Sequence, residues 1–255
     1  MQNGTGHQDR VPLKGRFQER CFVGMFASSQ ESADTKRRRS IIARIALGAQ
    51  LYPLPPPMGS ERMSRQSQPR RDEIAGFVLA GGQSRRFGSD KAIAQAPGTT
   101  ATFLERAVTA LQAVTAQVYV VAPLNRPYLL PGVTQVDDEF PGEGPLGAVI
   151  SALRAARTTR CLIMAVDQVW IDTDHLSILA EQASDSRPVV FDNGQGGILP
   201  LPVALPTASA TILAAEFARG ERSLLRALLA AGAISRSPAR PALLADVDAP
   251  ADLTD

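Results

Sequence analysis

A glycine-rich segment that carries several cations is the part of the chain best suited to chemistry. Residues 79–91 read LAGGQSRRFGSDK and directly follow a short apolar run at residues 74–79. Adjacent glycines let the backbone turn sharply after a strand and bring bare N–H groups up against phosphate oxygens. Positive charge comes from three residues, Arg85, Arg86 and Lys91. The spacing matches neither a Walker A loop nor G-x-G-x-x-G. Three cations beside such a turn nevertheless favour phosphate binding over an ordinary turn with solvated arginines.

Two carboxylates stand where apolar runs end. Asp138 opens the segment DEFPGEGPLG at residues 138–147, and Asp167 follows the apolar run at residues 161–166. Ligands of open α/β sheets bind beyond the carboxyl ends of the strands, so both positions are candidates for a binding site. Taken alone, Asp138 is equally compatible with a solvent-facing linker, and Asp167 with a helix cap or strand end.

Short apolar runs alternate with helical periodicity from residue 72 onward, which predicts a Rossmann-like α/β fold with a mostly parallel, doubly wound sheet. Strands are predicted at residues 74–79, 117–121, 133–136, 161–166, 189–191, 198–204 and 243–247. Helices are predicted at residues 102–114, 146–157, 174–183, 207–217 and 223–231, with a short one after Pro250. Thr102 and Glu105 have capping-box spacing at the first helix. The turn signal Asp192-Asn193-Gly194 adds an antiparallel strand.

The composition excludes several classes of protein. Hydrophobic residues make up 44% of the 255 residues, and no apolar run approaches the ~20 residues of a membrane span. Residues 71–255 hold 15 Lys and Arg against 20 Asp and Glu, so this part of the chain lacks the excess positive charge that is typical of a nucleic-acid-binding domain. Cys21 and Cys161 provide neither a disulfide framework nor zinc-ligand spacing. We therefore expect a cytoplasmic protein with no nucleic-acid or membrane partner.

The first 70 residues differ from the rest of the chain. They hold 12 Lys and Arg against five Asp and Glu and are rich in Gln, Ser, Gly and Pro, a composition typical of disorder. The predicted division is a disordered or mis-started extension at residues 1–70 and one folded domain at residues 71–255. We favour translation from Met63 over an organellar address, because transit peptides avoid acids such as Glu19 and Glu31.

The glycine-rich segment resembles a known signature. Residues 79–91 are similar to the L-A-G-G-x-S-x-R-M-G-x-D-K motif of the molybdenum cofactor guanylyltransferases, the MobA proteins, with Phe87 in place of Met. Residues 138–147 resemble the D-x-[FY]-P-G-x-G-P-L-[AG] loop of the same family, and residues 220–222 and 246–253 resemble its G-E-R segment and its ending. Further positions depart from the pattern: Val166 and Val169 replace Cys and Pro around Asp167, Leu199 replaces His, and Ala122 and Pro123 stand where some relatives place an Asn.

The resemblance implies that residues 71–255 form a nucleotidyltransferase domain with the fold of the nucleotide-diphospho-sugar transferases. It implies transfer of GMP from GTP to molybdopterin, with Mg²⁺ held by Asp167 and release of pyrophosphate. The implied catalytic residues are Lys91, Arg85 and Asp167. The implied nucleotide-binding residues are Leu79, Ala80, Gly81, Gly82, Lys91, Asp138 and Asp167. Molybdoenzymes that accept the cofactor, or their chaperones, are further candidate partners.

Two alternatives stay open at the level of sequence. One is a related enzyme with a different base or acceptor, such as a molybdopterin cytidylyltransferase or a sugar-phosphate nucleotidyltransferase. Gly81 and Asp90 favour the guanylyl branch, because cytidylyl relatives usually carry Ala at the first of these positions. The other is a protein that binds nucleotide without turnover, which the departures near Asp167 and Leu199 suggest. His175 and Cys161 are the one His and one Cys after the extension, which disfavours a catalytic triad based on Cys and His or on His.

Overall fold

Seven strands form one mixed sheet in the computed structural model, which describes residues 73–82 and 90–247. The strands are β1 (Ile74–Leu79), β2 (Gln117–Ala122), β3 (Thr134–Asp137), β4 (Arg160–Ala165), β5 (Val189–Asp192), β6 (Ile198–Pro206) and β7 (Ile234–Arg236). Their order is β3-β2-β1-β4-β6-β5-β7, and β6 runs antiparallel to both of its neighbours while the other pairs are parallel. The predicted fold class, including its antiparallel strand, is confirmed.

Five α-helices cover the two faces of the sheet within the same described residues. They are α1 (Phe103–Gln112), α2 (Pro145–Ala155), α3 (Thr173–Gln182), α4 (Ser209–Ala218) and α5 (Leu224–Ala230). Helices α1 and α3 pack with one apolar cluster on one face, and α2, α4 and α5 pack with a second cluster on the other. This two-sided coverage explains why all six residues of β1 are buried, as is usual for a central parallel strand.

The start of α1 agrees closely with the sequence. Thr102 accepts a hydrogen bond from the backbone N–H of Glu105, and the Glu105 carboxylate accepts one in return from the N–H of Thr102. The capping box is therefore confirmed, and it satisfies two N–H groups that the helix itself leaves unpaired. No described helix is long and apolar enough to cross a membrane.

The predicted strand at residues 243–247 is wrong. Residues Pro241–Leu244 form a 3₁₀ helix with proline in its first turn, and the last strand of the sheet is instead β7, which pairs with β5. Two of the three β7 residues are exposed, so this edge strand lacks the apolar run that marks the inner strands. The predicted extension at residues 1–70, the residues Arg85 and Arg86, and the helix after Pro250 lie outside the described residues.

Gly147 in the first turns of α2 gives a test of packing. A Cβ atom there would lie 2.7 Å from the Cβ of Phe140, which cannot retreat without moving the backbone. Alanine would gain about 0.5–1 kcal/mol of helix propensity, but overpacking costs about 1–3 kcal/mol. Gly147→Ala is therefore expected to lower the free energy of unfolding, measured by urea denaturation. An unchanged or higher midpoint would show that the Phe140 contact is not tight.

Candidate functional site

A cavity of about 520 Å³ opens beyond the carboxyl ends of β1 and β4, where an open α/β sheet binds its ligands. Its lining includes every described residue that the sequence identifies as a candidate catalytic or nucleotide-binding residue: Leu79, Ala80, Gly81, Gly82, Lys91, Asp138 and Asp167. Residues separated by almost 90 positions are thus brought to one wall of the protein. Arg85, the remaining nominated residue, lies outside the described residues.

Lys91 is held at the cavity by local and distant contacts. It begins a 3₁₀ turn, Lys91–Ile93, which the Asp90 carboxylate caps by accepting from the N–H of Ala92 at 3.0 Å. The ammonium group donates to the backbone oxygen of Val247 at 2.6 Å and to Asp167 Oδ2 at 3.3 Å. Because Lys91 is only 8% exposed, its charge acts in a setting that water screens poorly.

Asp167 projects from the turn that follows β4. The preceding residue, Val166, donates its N–H to the oxygen of Leu79, and the backbone oxygen of Asp167 itself accepts from the N–H of Val247. The side chain is 25% exposed and shares the cavity with Lys91. Val166 and Val169, which replace the Cys and Pro of the signature, are both buried, so the turn packs against apolar core.

The donor set at Asp167 fits a hard cation that also binds phosphate. Among the described residues, no three His, Cys, Asp or Glu side chains converge as a metal cage. Mg²⁺ commonly takes one or two protein carboxylates and completes its shell with water and substrate phosphates. A single half-buried carboxylate beside a cavity of this size is compatible with that arrangement.

Asp138 and Gly81 are packed against each other. The carboxylate is 5% exposed and accepts from the N–H of Phe140 at 3.0 Å. Burial raises the pKa of the Asp138 carboxyl above its ordinary value, although the hydrogen bond from Phe140 opposes this effect. A Cβ atom on Gly81 would lie 3.2 Å from Asp138 Oδ2 and 3.4 Å from the Pro123 ring. Glycine therefore suits position 81 because a side chain there would crowd Asp138 and Pro123. Neither Gly81 nor Gly82 has a positive φ.

A second cavity of about 420 Å³ adjoins the first and shares Gly81, Asp138 and Gly142 with it. Its other wall is the segment after β2, which contributes Asn125 and Arg126. Two joined compartments separated by a glycine and a carboxylate could accommodate two parts of one ligand.

The segment after β2 also holds both ends of the glycine-rich loop, which the sequence did not indicate. Arg126 donates to the oxygen of Gly82 at 3.0 Å, and the Tyr128 hydroxyl donates to Asp90 Oδ2 at 2.7 Å. Burial, followed by the bond to Asp90, raises the pKa of Tyr128 above its ordinary value. These partners are 44 and 38 positions apart, so no local pattern could have paired them.

The G-E-R segment supports the other side of the cavity. Arg222 donates to Glu143 at 2.8 Å and lies 4.0 Å above the Phe217 ring. Because Glu143 precedes Gly144 and Pro145, which line the cavity, this ion pair ties the loop to α4 and α5. Leu199, the departure from His, packs against the apolar core, whereas Leu201 lines the cavity.

His175 lies in the first turn of α3, at the start of the helix as the sequence predicts, and it is buried. Its Nδ1 is 2.7 Å from Asp172 Oδ1, and its Nε2 accepts from the N–H of Arg240 at 3.4 Å. The ring also makes an edge contact with Phe191 in β5. This histidine serves packing and capping within the fold.

Comparison with known proteins agrees with this geometry. Residues 76–234 match the MobA-like NTP transferase domain. The chain is 36% identical over 162 residues to a probable molybdenum cofactor guanylyltransferase of Chloroflexus aggregans, covering 62% of this chain and 77% of that protein. It is 37% identical over 131 residues to a protein of the same description from Mycobacterium tuberculosis, covering 49% of this chain and 65% of that protein.

Solved structures share the fold at lower identity. A nucleotidyl transferase from Methanothermobacter superposes with a TM-score of 0.56 at 21% identity, covering 71% of this chain and 94% of that one. The molybdopterin-guanine dinucleotide biosynthesis protein A of Archaeoglobus fulgidus gives 0.57 at 19% identity, covering 70% of this chain and 94% of that one.

Proposed function

Since the chain belongs to the MobA-like NTP transferase family and is therefore a nucleotidyltransferase, we propose that it transfers GMP from GTP to the terminal phosphate of molybdopterin. The observation that carries the proposal is the convergence of Lys91, Asp167 and the Gly81–Gly82 turn on one cavity. Relatives described as probable molybdenum cofactor guanylyltransferases support the choice of substrates. The few cysteines of the chain support a cytoplasmic reaction.

The reaction needs little covalent chemistry from the protein. A phosphate oxygen of molybdopterin attacks the α-phosphorus of GTP, a new P–O bond forms, and the bond to the β-phosphate oxygen breaks with release of pyrophosphate. Catalysis then consists of holding the two phosphates in line and neutralising the charge that grows on the leaving group. Lys91 supplies fixed positive charge at the cavity, and the N–H groups of the glycine turn supply directed donors.

Asp167 would hold Mg²⁺, which would supply positive charge that offsets part of the negative charge of the phosphates. The ammonium of Lys91, 3.3 Å from Asp167 Oδ2, orients this carboxylate in the cavity. Asp138 lies between the two compartments, where it can accept from N–H groups of a base.

The proposal is tested by pyrophosphate release from GTP in the presence of Mg²⁺ and purified molybdopterin. The expected result is release that requires both substrates and yields the guanine dinucleotide of the cofactor. Pyrophosphate release that is independent of molybdopterin, or that occurs only with a sugar phosphate, would point to a related transferase. Binding of GTP without any release would identify a nucleotide-binding protein without turnover.

Asp167→Asn keeps the shape of the side chain but removes the charge that would hold the metal. We expect the rate at a fixed low Mg²⁺ concentration to fall, and the Mg²⁺ concentration for half-maximal rate to rise about tenfold or more. Asp185→Asn is the control, because Asp185 pairs with Arg160 at the opposite end of β4. Identical Mg²⁺ curves for wild type and Asp167→Asn would assign Asp167 a purely structural role.

A further inference from the structure

The hydrogen-bond ladder between β4 and β6 is interrupted beside the candidate site. The two strands pair from Arg160 with Pro206 to Ile163 with Val203. Two residues further, the same register would pair Ala165 directly with Leu201. Instead, the side-chain amide of Gln168 lies between them: its oxygen accepts from the N–H of Ala165 at 3.1 Å, and its nitrogen donates to the oxygen of Leu201 at 2.9 Å.

Gln168 thus replaces one rung of the sheet with a side chain. A primary amide offers one acceptor and two donors, so it can satisfy a backbone N–H on one strand and a backbone oxygen on the other. The residue is 3% exposed, which makes both bonds costly to lose, because a buried unpaired backbone group costs about 1–3 kcal/mol. The inserted amide therefore holds β6 away from β4 at a defined distance.

The same residue closes the turn that carries Asp167. The backbone N–H of Gln168 donates to the oxygen of Ala165 at 3.3 Å, while its side chain accepts from the N–H of that residue. Asp167 is enclosed between these two bonds, and its own backbone oxygen accepts from Val247. On the other strand, Leu201 lines the cavity. One side chain thus fixes both the carboxylate and the facing wall.

We propose that Gln168 is a positioning residue that sets the Asp167 carboxylate for the metal and nucleotide. It does so through the inserted rung between β4 and β6, in a turn where Val169 stands in place of the proline of the signature. This inference rests on the proposed function for its substrates. Gln168 itself does not line the cavity and acts through Asp167.

The test compares Gln168→Met with a matched variant, Thr115→Val. Methionine keeps the length of glutamine but makes neither bond. Thr115 is also 3% exposed, and its hydroxyl bonds to the oxygens of Leu111 and Gln117 just before β2, at the ends of the strands opposite the cavity. Both variants are expected to melt at lower temperature than wild type. Only Gln168→Met is expected to raise the Mg²⁺ concentration for half-maximal rate, about tenfold.

Two further measurements separate positioning from stability. Retention of Mn²⁺ by the protein with GTP, measured as the loss of the electron paramagnetic resonance signal of the free ion beyond that caused by GTP alone, should weaken in Gln168→Met and not in Thr115→Val. In the Asp167→Asn background, Gln168→Met should change the metal dependence little further, because the two residues act on one carboxylate. If Gln168→Met does not fold, Gln168→Asn serves, since it is one methylene too short to span both strands.

Gln168→Met with wild-type Mn²⁺ retention and an unchanged Mg²⁺ curve would overturn the proposal, as would an undiminished effect in the Asp167→Asn background. Failure of the proposed function is distinguishable from this result. If wild type retains Mn²⁺ and GTP but forms no product with molybdopterin, the acceptor is wrong, and the Mn²⁺ comparison still decides the role of Gln168. If wild type retains no Mn²⁺ with GTP, the positioning role is overturned as well.

Discussion

Replacement of Lys91 by alanine is expected to lower the rate of guanylyl transfer about a hundredfold to a thousandfold. A fixed donor aimed at growing charge is worth about 3–4 kcal/mol of transition-state stabilisation in a site that excludes water. Lys91 meets that condition, because it is 8% exposed and anchored by Val247 and Asp167 within the cavity. The affinity for GTP should fall less than the rate, since the charge that Lys91 opposes increases during departure of pyrophosphate.

The same substitution also removes the donor to the Val247 oxygen, so part of its effect falls on stability. Rates are therefore measured on the folded fraction, with Arg160→Ala as the control. Arg160 has a side chain 16% exposed and pairs with Asp185 at the far end of β4, so its loss removes a comparable ion pair outside the cavity. A Lys91→Ala rate within threefold of wild type, at matched folded fraction, would contradict the catalytic role.

The predictable parts of the fold carry local signals. β1 was predicted at its observed bounds because six consecutive apolar or small residues lie between a polar segment and a glycine turn. The capping box at Thr102 depends on residues three positions apart, and the β5–β6 pair follows from a short turn sequence. The cavity was also predictable in outline, because carboxyl ends of parallel strands share one edge of a sheet.

The parts that were not predicted depend on contacts distant in sequence. The Gln168 side chain bonds to Leu201 33 positions away, and Lys91 bonds to the Val247 oxygen 156 positions away. A backbone oxygen has no sequence signature, and a lone glutamine after a strand looks like any polar loop residue. The strand at β7 was missed for a related reason: an exposed edge strand of three residues has no pattern to distinguish it from a loop.

The preference for the base should be almost as large as the effect at Lys91. Guanine presents N1–H and 2-amino donors on one edge, whereas cytosine presents a 4-amino donor with N3 and O2 acceptors. A buried carboxylate accepts only, so Asp138 can pair with two adjacent guanine donors but would face acceptors of cytosine. Each buried group left unpaired costs about 1–3 kcal/mol. Two mismatches therefore predict a preference for GTP over CTP of several hundredfold.

Competition of unlabelled GTP, CTP and ATP against labelled GTP in Mg²⁺ buffer measures this preference directly. We expect GTP to displace the probe at a concentration several hundredfold below that of CTP. Gly81→Ala should reduce the preference for GTP over CTP, because its methyl group would lie 3.2 Å from Asp138 Oδ2 and push the carboxylate from its position. Asp185→Asn is the control, since Asp185 pairs with Arg160 at the far end of β4 and lines neither cavity. Equal displacement by CTP would exclude the guanylyl branch and leave the roles of Lys91 and Asp167 in phosphate chemistry intact.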